Sequence, residues 1–231
     1  MSGNGGAIAI AKVIAASPSL VHFRWASVRA NVDGGVAIGT AISSIHLPLI
    51  QTLDLSDNSF GEVGGLALAK ALGNLPHLLD LNISDTGMEC SLDDVFEALT
   101  GTAPNLRVLK INDNEINDVK ALIGCLRSKP LLESLSLEGN EVASVGATKI
   151  CEVLKASCPL LSYINLSTNE IMGLGGKAVA DLLGGRGVEV NLNDNALRAS
   201  VVELLEERVK LLDMGDNRED DDEEVDEEED D

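Results

Sequence analysis

Aromatic side chains are nearly missing: the 231 residues include three Phe, one Tyr and one Trp. With 45% of the chain apolar, the core must be built from Leu, Ile, Val and Ala. Small, uniform side chains suit a repeated layer better than an irregular globule. Basic residues are scarce as well, 17 Lys and Arg against 38 Asp and Glu, for a net charge of −21. Nucleic acid and anionic membrane both demand a basic face, so the charge argues against either as a direct partner. No apolar run is long enough to span a bilayer. The longest, Ala7 to Ala16, is broken by Lys12 and lacks the basic start of a signal peptide. The four cysteines, Cys90, Cys125, Cys151 and Cys158, form no Cys-x-x-Cys pair, and we read them as reduced core residues of an intracellular protein. His22, His46 and His77 stand apart, with no metal-ligand spacing. The Gly-Gly pairs lack the Gly-Lys-Ser/Thr of a P-loop, and no Gly-x-Ser-x-Gly elbow occurs. These residues imply no cofactor and no catalytic constellation.

The acidity is concentrated. Asp216 to Asp231 holds thirteen acids and one Arg, a charge of −12, which leaves −9 on the rest of the chain. A segment so charged and so poor in apolar groups cannot offset its ordering entropy. We therefore expect a folded domain over 1–215 and a disordered acidic tail over 216–231.

The chain repeats itself. Leu53-Asp-Leu-Ser-Asp-Asn58 recurs as Leu109-Lys-Ile-Asn-Asp-Asn114, Leu135-Ser-Leu-Glu-Gly-Asn140, Ile164-Asn-Leu-Ser-Thr-Asn169 and Val190-Asn-Leu-Asn-Asp-Asn195. Degenerate copies end at Thr86 and Val28. The motifs thus end at Val28, Asn58, Thr86, Asn114, Asn140, Asn169 and Asn195, at nearly even intervals. This is the leucine-rich pattern LxxLxLxxN in a long form of about 28 residues. Alternate apolar residues of a short strand point inward. The Asn amide then satisfies buried backbone groups of the turn, so the asparagines should form a ladder. Val28 cannot take that role, and its turn must be closed differently. Each strand is followed by apolar residues at helical spacing, several behind a Gly-Gly pair such as Gly34-Gly35, Gly64-Gly65 and Gly175-Gly176, where small residues allow close packing. Ser91 with Asp94 and Ser200 with Glu203 read as helix caps.

The fold expected is therefore an α/β leucine-rich-repeat solenoid of about seven strand–helix units. A last helix over about Ser200 to Leu212 should close the C-terminal end. Residues 1 to about 16 read as a helix with no strand before it. We therefore expect the C-terminal part of a longer array, or a shortened one.

With no active site in view, the candidate functional element is a surface. Asp57, Asp85, Asp113 and Asp194 recur at one turn register, and Glu138 occupies the register before it. Together they form an acidic row along the strand-to-helix rim, suited either to solvation or to a basic partner. With Arg29, the residues Asp57, Asp85, Asp113 and Glu138 are the candidate partner contacts.

The long repeat, the unit from Leu53 to Leu72 and the polyacidic end together resemble the Ran GTPase-activating proteins. Phe23-Arg24, Arg29, Gly34-Gly35-Val36-Ala37 and Ile164 to Asn169 sit in register with the plant-type members. The resemblance implies a ribonuclease-inhibitor-like fold and binding to the small GTPase Ran in its GTP state. It also implies stimulation of GTP hydrolysis in nucleocytoplasmic transport, at a cytoplasmic, nuclear-envelope or nuclear location. Such activators donate no arginine; rim contacts position the GTPase's own glutamine against water. An asparagine of an early repeat contributes to this positioning. By alignment its repeat falls upstream of Met1, so no residue here takes that role. Two other readings share features of the sequence. An acidic leucine-rich-repeat chaperone of histones would use shorter repeats with little helix, and a ribonuclease-inhibitor-type scaffold would lack the acidic tail.

Overall fold

The computed structural model describes residues 3–45, 48–88, 91–215 and 217. Among these residues, eight short strands form one parallel sheet in sequential order. They are β1 His22–Arg24, β2 Thr52–Asp54, β3 Asp80–Asn82, β4 Val108–Lys110, β5 Ser134–Ser136, β6 Tyr163–Asn165, β7 Glu189–Asn191 and β8 Leu211–Asp213. A helix precedes each strand: α1 Gly3–Ala15, α2 Val32–Ser43, α3 Gly61–Leu72, α4 Ser91–Thr100, α5 Lys120–Arg127, α6 Ala143–Ser157, α7 Gly173–Leu183 and α8 Ala199–Arg208. The first seven strands lie within one residue of the positions set by the repeat. The register pairs Leu53 with Leu81, Leu81 with Leu109, Leu109 with Leu135 and Leu135 with Ile164, all fully buried. One apolar side chain per strand thus meets the helix layer, and its neighbours face the open side of the sheet.

The Gly-Gly pairs show why the helices can lie so close. The first Gly faces back and the second faces forward. A Cβ on Gly175 would come within 2.8 Å of Ser144 Cα in the helix before, and one on Gly176 within 2.7 Å of Leu197 and Val201 in the unit after. At Gly175 a larger residue would displace the neighbouring helix backbone, and at Gly176 it would force Leu197 and Val201 to repack.

The asparagine ladder is present and directional. Asn58, Asn114, Asn140, Asn169 and Asn195 are all at most 5% exposed. Asn140 Nδ2 donates to Leu137 O at 2.8 Å in its own turn and to Ile111 O at 3.1 Å in the turn before. Its Oδ1 accepts from Asn114 N and Ile116 N, both at 3.1 Å. Thr86 supplies a hydroxyl 2.9 Å from Ile83 O. The first turn, ending at Val28, is closed from the next unit, where Asn58 Nδ2 donates to Trp25 O at 2.8 Å and Oδ1 accepts from Ala30 N at 3.0 Å.

The C-terminal end departs from expectation. The last helix stops at Arg208, and Leu211 and Leu212 belong to an eighth strand rather than to a helical stripe. Asn217 Oδ1 accepts from Asn195 N at 3.1 Å and so continues the ladder past the boundary placed at 215. Val209, Leu212, Met214 and Asn217 carry the LxxLxLxxN spacing, in a shortened last unit. The remainder of the acidic tail, Asp216 and 218–231, lies outside the described residues. The expected caps also fail. Ser91 is buried and its hydroxyl donates to Met88 O, and α8 begins at Ala199, so Ser200 lies inside the helix and not at its N-cap.

Cys125, Cys151 and Cys158 are free, buried thiols; Cys90 lies outside the described residues. Burial pushes the Cys151 thiol up to about 12 and those of Cys125 and Cys158 to about 11, so all three stay protonated. Lys129 is also fully buried. Its Nζ donates to Leu99 O at 2.5 Å, Thr102 O at 3.0 Å and Ser128 Oγ at 2.7 Å, which ties the end of α4 to the end of α5.

Candidate functional site: the acidic rim

The rim begins where each strand turns toward its helix. The residue before each ladder position takes a left-handed conformation: Ser27, Asp57, Asp85, Asp113, Thr168 and Asp194 have φ between 50° and 56°, and Gly139 has 65°. Gly, Asn and Asp tolerate this region best, because a short polar side chain can bond locally. The recurrence of Asp at this register therefore has a backbone cause. What the backbone leaves open is the choice of Asp over Asn or Gly, which is a choice of charge.

All five candidate contacts are exposed. Asp57, Asp85 and Asp113 follow one another along successive turns. Asp57 N donates to Ser84 O at 3.0 Å, Asp85 N to Asn112 O at 2.8 Å and Asp113 N to Glu138 O at 2.8 Å. Partial burial raises the Asp113 carboxyl above its usual range, and the charges of Glu138 and Asp85 raise it further, so these three act as one field. The Asp113 carboxylate lies against Gly139, where a Cβ would meet Oδ1 at 2.1 Å. Glu138 accepts from Asn165 Nδ2 at 2.9 Å and so bends toward the open face of the sheet. Arg29 stands apart from this acidic field on the first turn, with φ 54°.

The open face continues the polarity. Along the second row of this face, Arg24, Asp54, Asn82, Lys110, Ser136, Asn165, Asn191 and Asp213 lie side by side, with Ser136 and Asn165 buried. Arg24 Nε pairs with Asp54 at 2.7 Å. Burial pushes the Asp54 carboxyl up, but hydrogen bonds from Ser56 and Arg24 outweigh it and hold the group below the usual range. The repeat pattern alone does not single out this pair. Its signal is the register itself, which places opposite charges on adjacent strands. Among the described residues no three His, Cys, Asp or Glu side chains gather as metal ligands, and no helix is long and apolar enough to cross a membrane.

Ala143 is one of several non-glycine rim residues in the left-handed region, and one whose counterpart elsewhere is glycine. Ala143 has φ 52° at the position where α3 begins with Gly61, φ 61°. Ala143→Gly should stabilise the protein by about 0.5–1 kcal/mol, since only glycine adopts this region without a Cβ penalty. A thermal melt should show Tm higher by about 1–3 °C.

An eight-stranded parallel sheet with one helix per turn and an internal asparagine ladder defines a leucine-rich-repeat solenoid. A leucine-rich-repeat family profile matches residues 46–69, 102–119 and 128–151. The chain is similar to Ran GTPase-activating protein 1 of Saccharomyces cerevisiae, with 34% identity over 105 residues, which is 42% of this chain and 26% of that protein. The match thus spans about a quarter of the length of that relative. Among solved structures, a Bacteroides fragilis protein is 14% identical with a TM-score of 0.49, covering 93% of this chain and 62% of its own. An internalin from Listeria monocytogenes is 15% identical with a TM-score of 0.42, covering 94% and 76%.

Proposed function

We propose that this chain docks a Ran-type GTPase in its GTP-bound state against the acidic rim and modulates GTP hydrolysis, as part of nucleocytoplasmic transport. The similarity to the yeast Ran GTPase-activating protein supports the choice of partner. The unbroken field of Asp85, Asp113 and Glu138 is the observation that carries the surface. In this reading the protein contributes no reacting group. Its rim holds the GTPase in one orientation, and the rate changes through positioning.

The test is single-turnover GTP hydrolysis by Ran with and without the chain, beside capture on GTP-loaded and GDP-loaded Ran. Preferential capture of the GTP form together with a changed hydrolysis rate supports the proposal. Equal capture of both forms with an unchanged rate refutes it. The triple variant Asp57→Asn, Asp85→Asn, Asp113→Asn keeps residues that suit the left-handed turns and removes three charges. Its affinity for the GTPase should fall by about tenfold at low salt, and the difference should shrink at high salt.

Stability should move the other way. A carboxyl whose pKa is raised in the folded state disfavours folding once it is ionised. The penalty is present above the folded pKa and disappears as pH falls through that value to the unfolded one. Asp113→Asn should therefore raise Tm slightly at pH 7, with the gain gone once pH falls below the ordinary carboxylate range.

A further inference from the structure

A second feature of the rim lies one to two units beyond Asp113 and involves apolar side chains. Val145, Met172 and Leu174 are 55%, 60% and 73% exposed, at the starts of the adjacent helices α6 and α7. They form one surface. Met172 N donates to Ser144 Oγ at 2.9 Å, and a Cβ on Gly175 would lie 2.8 Å from Ser144 Cα. Met172 and Leu174 are thereby held against the residue next to Val145.

These residues oppose what a helix start prefers. Met172 occupies the N-cap of α7 with no side-chain cap bond, where Ser, Thr, Asp or Asn would stabilise the helix by about 1 kcal/mol. The corresponding residues of α2, counted from the Gly-Gly pairs, are Asn31 and Asp33, and there Asn31 Oδ1 caps Asp33 N at 3.0 Å. The same register thus carries a polar cap in one unit and two exposed apolar side chains in another. The repeat itself does not require the apolar choice.

The charges around this surface are ordered. Glu141 and Glu170, both exposed, precede the two helices, while Lys149 and Lys177 lie one turn further along them. An exposed cluster of large apolar side chains edged by charge is a mark of a protein-docking site. We propose that Val145, Met172 and Leu174 anchor a protein partner that inserts an apolar side chain among them and sets Lys or Arg against Glu141 and Glu170. The inference does not depend on the partner being a GTPase.

The experiment uses the intact chain and two synthetic amphipathic peptides, each about five helical turns long. One has a leucine stripe flanked by lysines, and the other has serine in place of each leucine. Both meet the acidic C-terminal segment by charge, so the difference between them isolates the apolar contact. The variant Met172→Asn/Leu174→Asp places the residues of α2 on α7. It should melt no lower than the parent. It should bind the leucine peptide about tenfold more weakly even though Leu174→Asp adds an attractive charge. The serine peptide should bind parent and variant with no such loss. In methyl NMR of the parent, Val145, Met172 and Leu174 signals should move with the leucine peptide alone. Should the double variant lose stability, the single variant Leu174→Ser gives the same comparison. Unmoved methyl signals, or equal binding of the leucine peptide to parent and variant, would overturn the proposal. Concentration-dependent dimerisation of the parent, abolished in the variant, would overturn it in favour of a second copy as the occupant.

Discussion

Lys129→Ala should destabilise the solenoid by about 3–5 kcal/mol, the largest effect expected of a single substitution here. The ammonium is fully buried and its charge is met by two backbone carbonyls and a hydroxyl, with no carboxylate among them. Alanine leaves Leu99 O and Thr102 O without their donor and opens a cavity between the ends of α4 and α5. Lys129→Met, which fills the space and removes the desolvated charge, should cost less, about 1–3 kcal/mol. Burial lowers the Lys129 pKa. For a base this means a penalty in the charged state, present below the folded pKa and relieved as pH rises through it toward the unfolded value. Urea melts of the three proteins at pH 7 check the order. Near-equal stability of parent and Lys129→Ala would show that the three hydrogen bonds contribute nothing net.

Asn140→Ala should cost about 3 kcal/mol, at the top of the range for an unsatisfied buried group, because it strands several such groups at once. Asn114 N and Ile116 N lose their acceptor, and Ile111 O and Leu137 O lose a donor. Each unit contacts only its neighbours, so the defect weakens one joint in the middle of the array. Amide exchange should accelerate first around residues 111–116, on the N-terminal side of the mutation, and the thermal transition should broaden. Uniform exchange across the chain would contradict this nearest-neighbour picture.

The strands and the ladder were legible because one side chain does one job in every unit. Leu53, Leu81, Leu109 and Leu135 share a register, and Asn58, Asn114 and Asn140 share a bonding pattern. The eighth unit escaped notice for two physical reasons. Its helix runs almost directly into its strand, from Arg208 to Leu211, which contracts the interval between Asn195 and Asn217, and Val209 and Met214 stand where leucines are usual. The buried lysine escaped for a related reason. Leu75, Ala103, Lys129 and Cys158 all precede a proline and occupy one fully buried column. A lysine in an otherwise apolar column was the available signal. The acidic register was read as a choice between solvation and docking, but positive φ at Asp57, Asp85, Asp113 and Asp194 adds a third cause that composition does not reveal. At the position before Gly34, Gly64, Gly146 and Gly175 stand Asp33, Val63, Val145 and Leu174, so an apolar residue there does not by itself mark the surface at Val145, Met172 and Leu174. Only the contrast with Asn31 and Asp33 brings it out.

The direction of the ladder has a mechanical meaning. Every asparagine rung closes the turn before it: Asn217 holds Asn195, Asn195 holds Asn169, and Asn140 holds Asn114, whereas the Thr86 hydroxyl bonds only its own turn and Asn114. A chain pulled from its C-terminal end therefore gives up the clamp on the next unit with each unit it releases. Pulled from its N-terminal end, it leaves every later clamp engaged. In an optical trap the two attachments should give different force records, a steady peel from the C-terminal side and a higher, more abrupt rupture from the other.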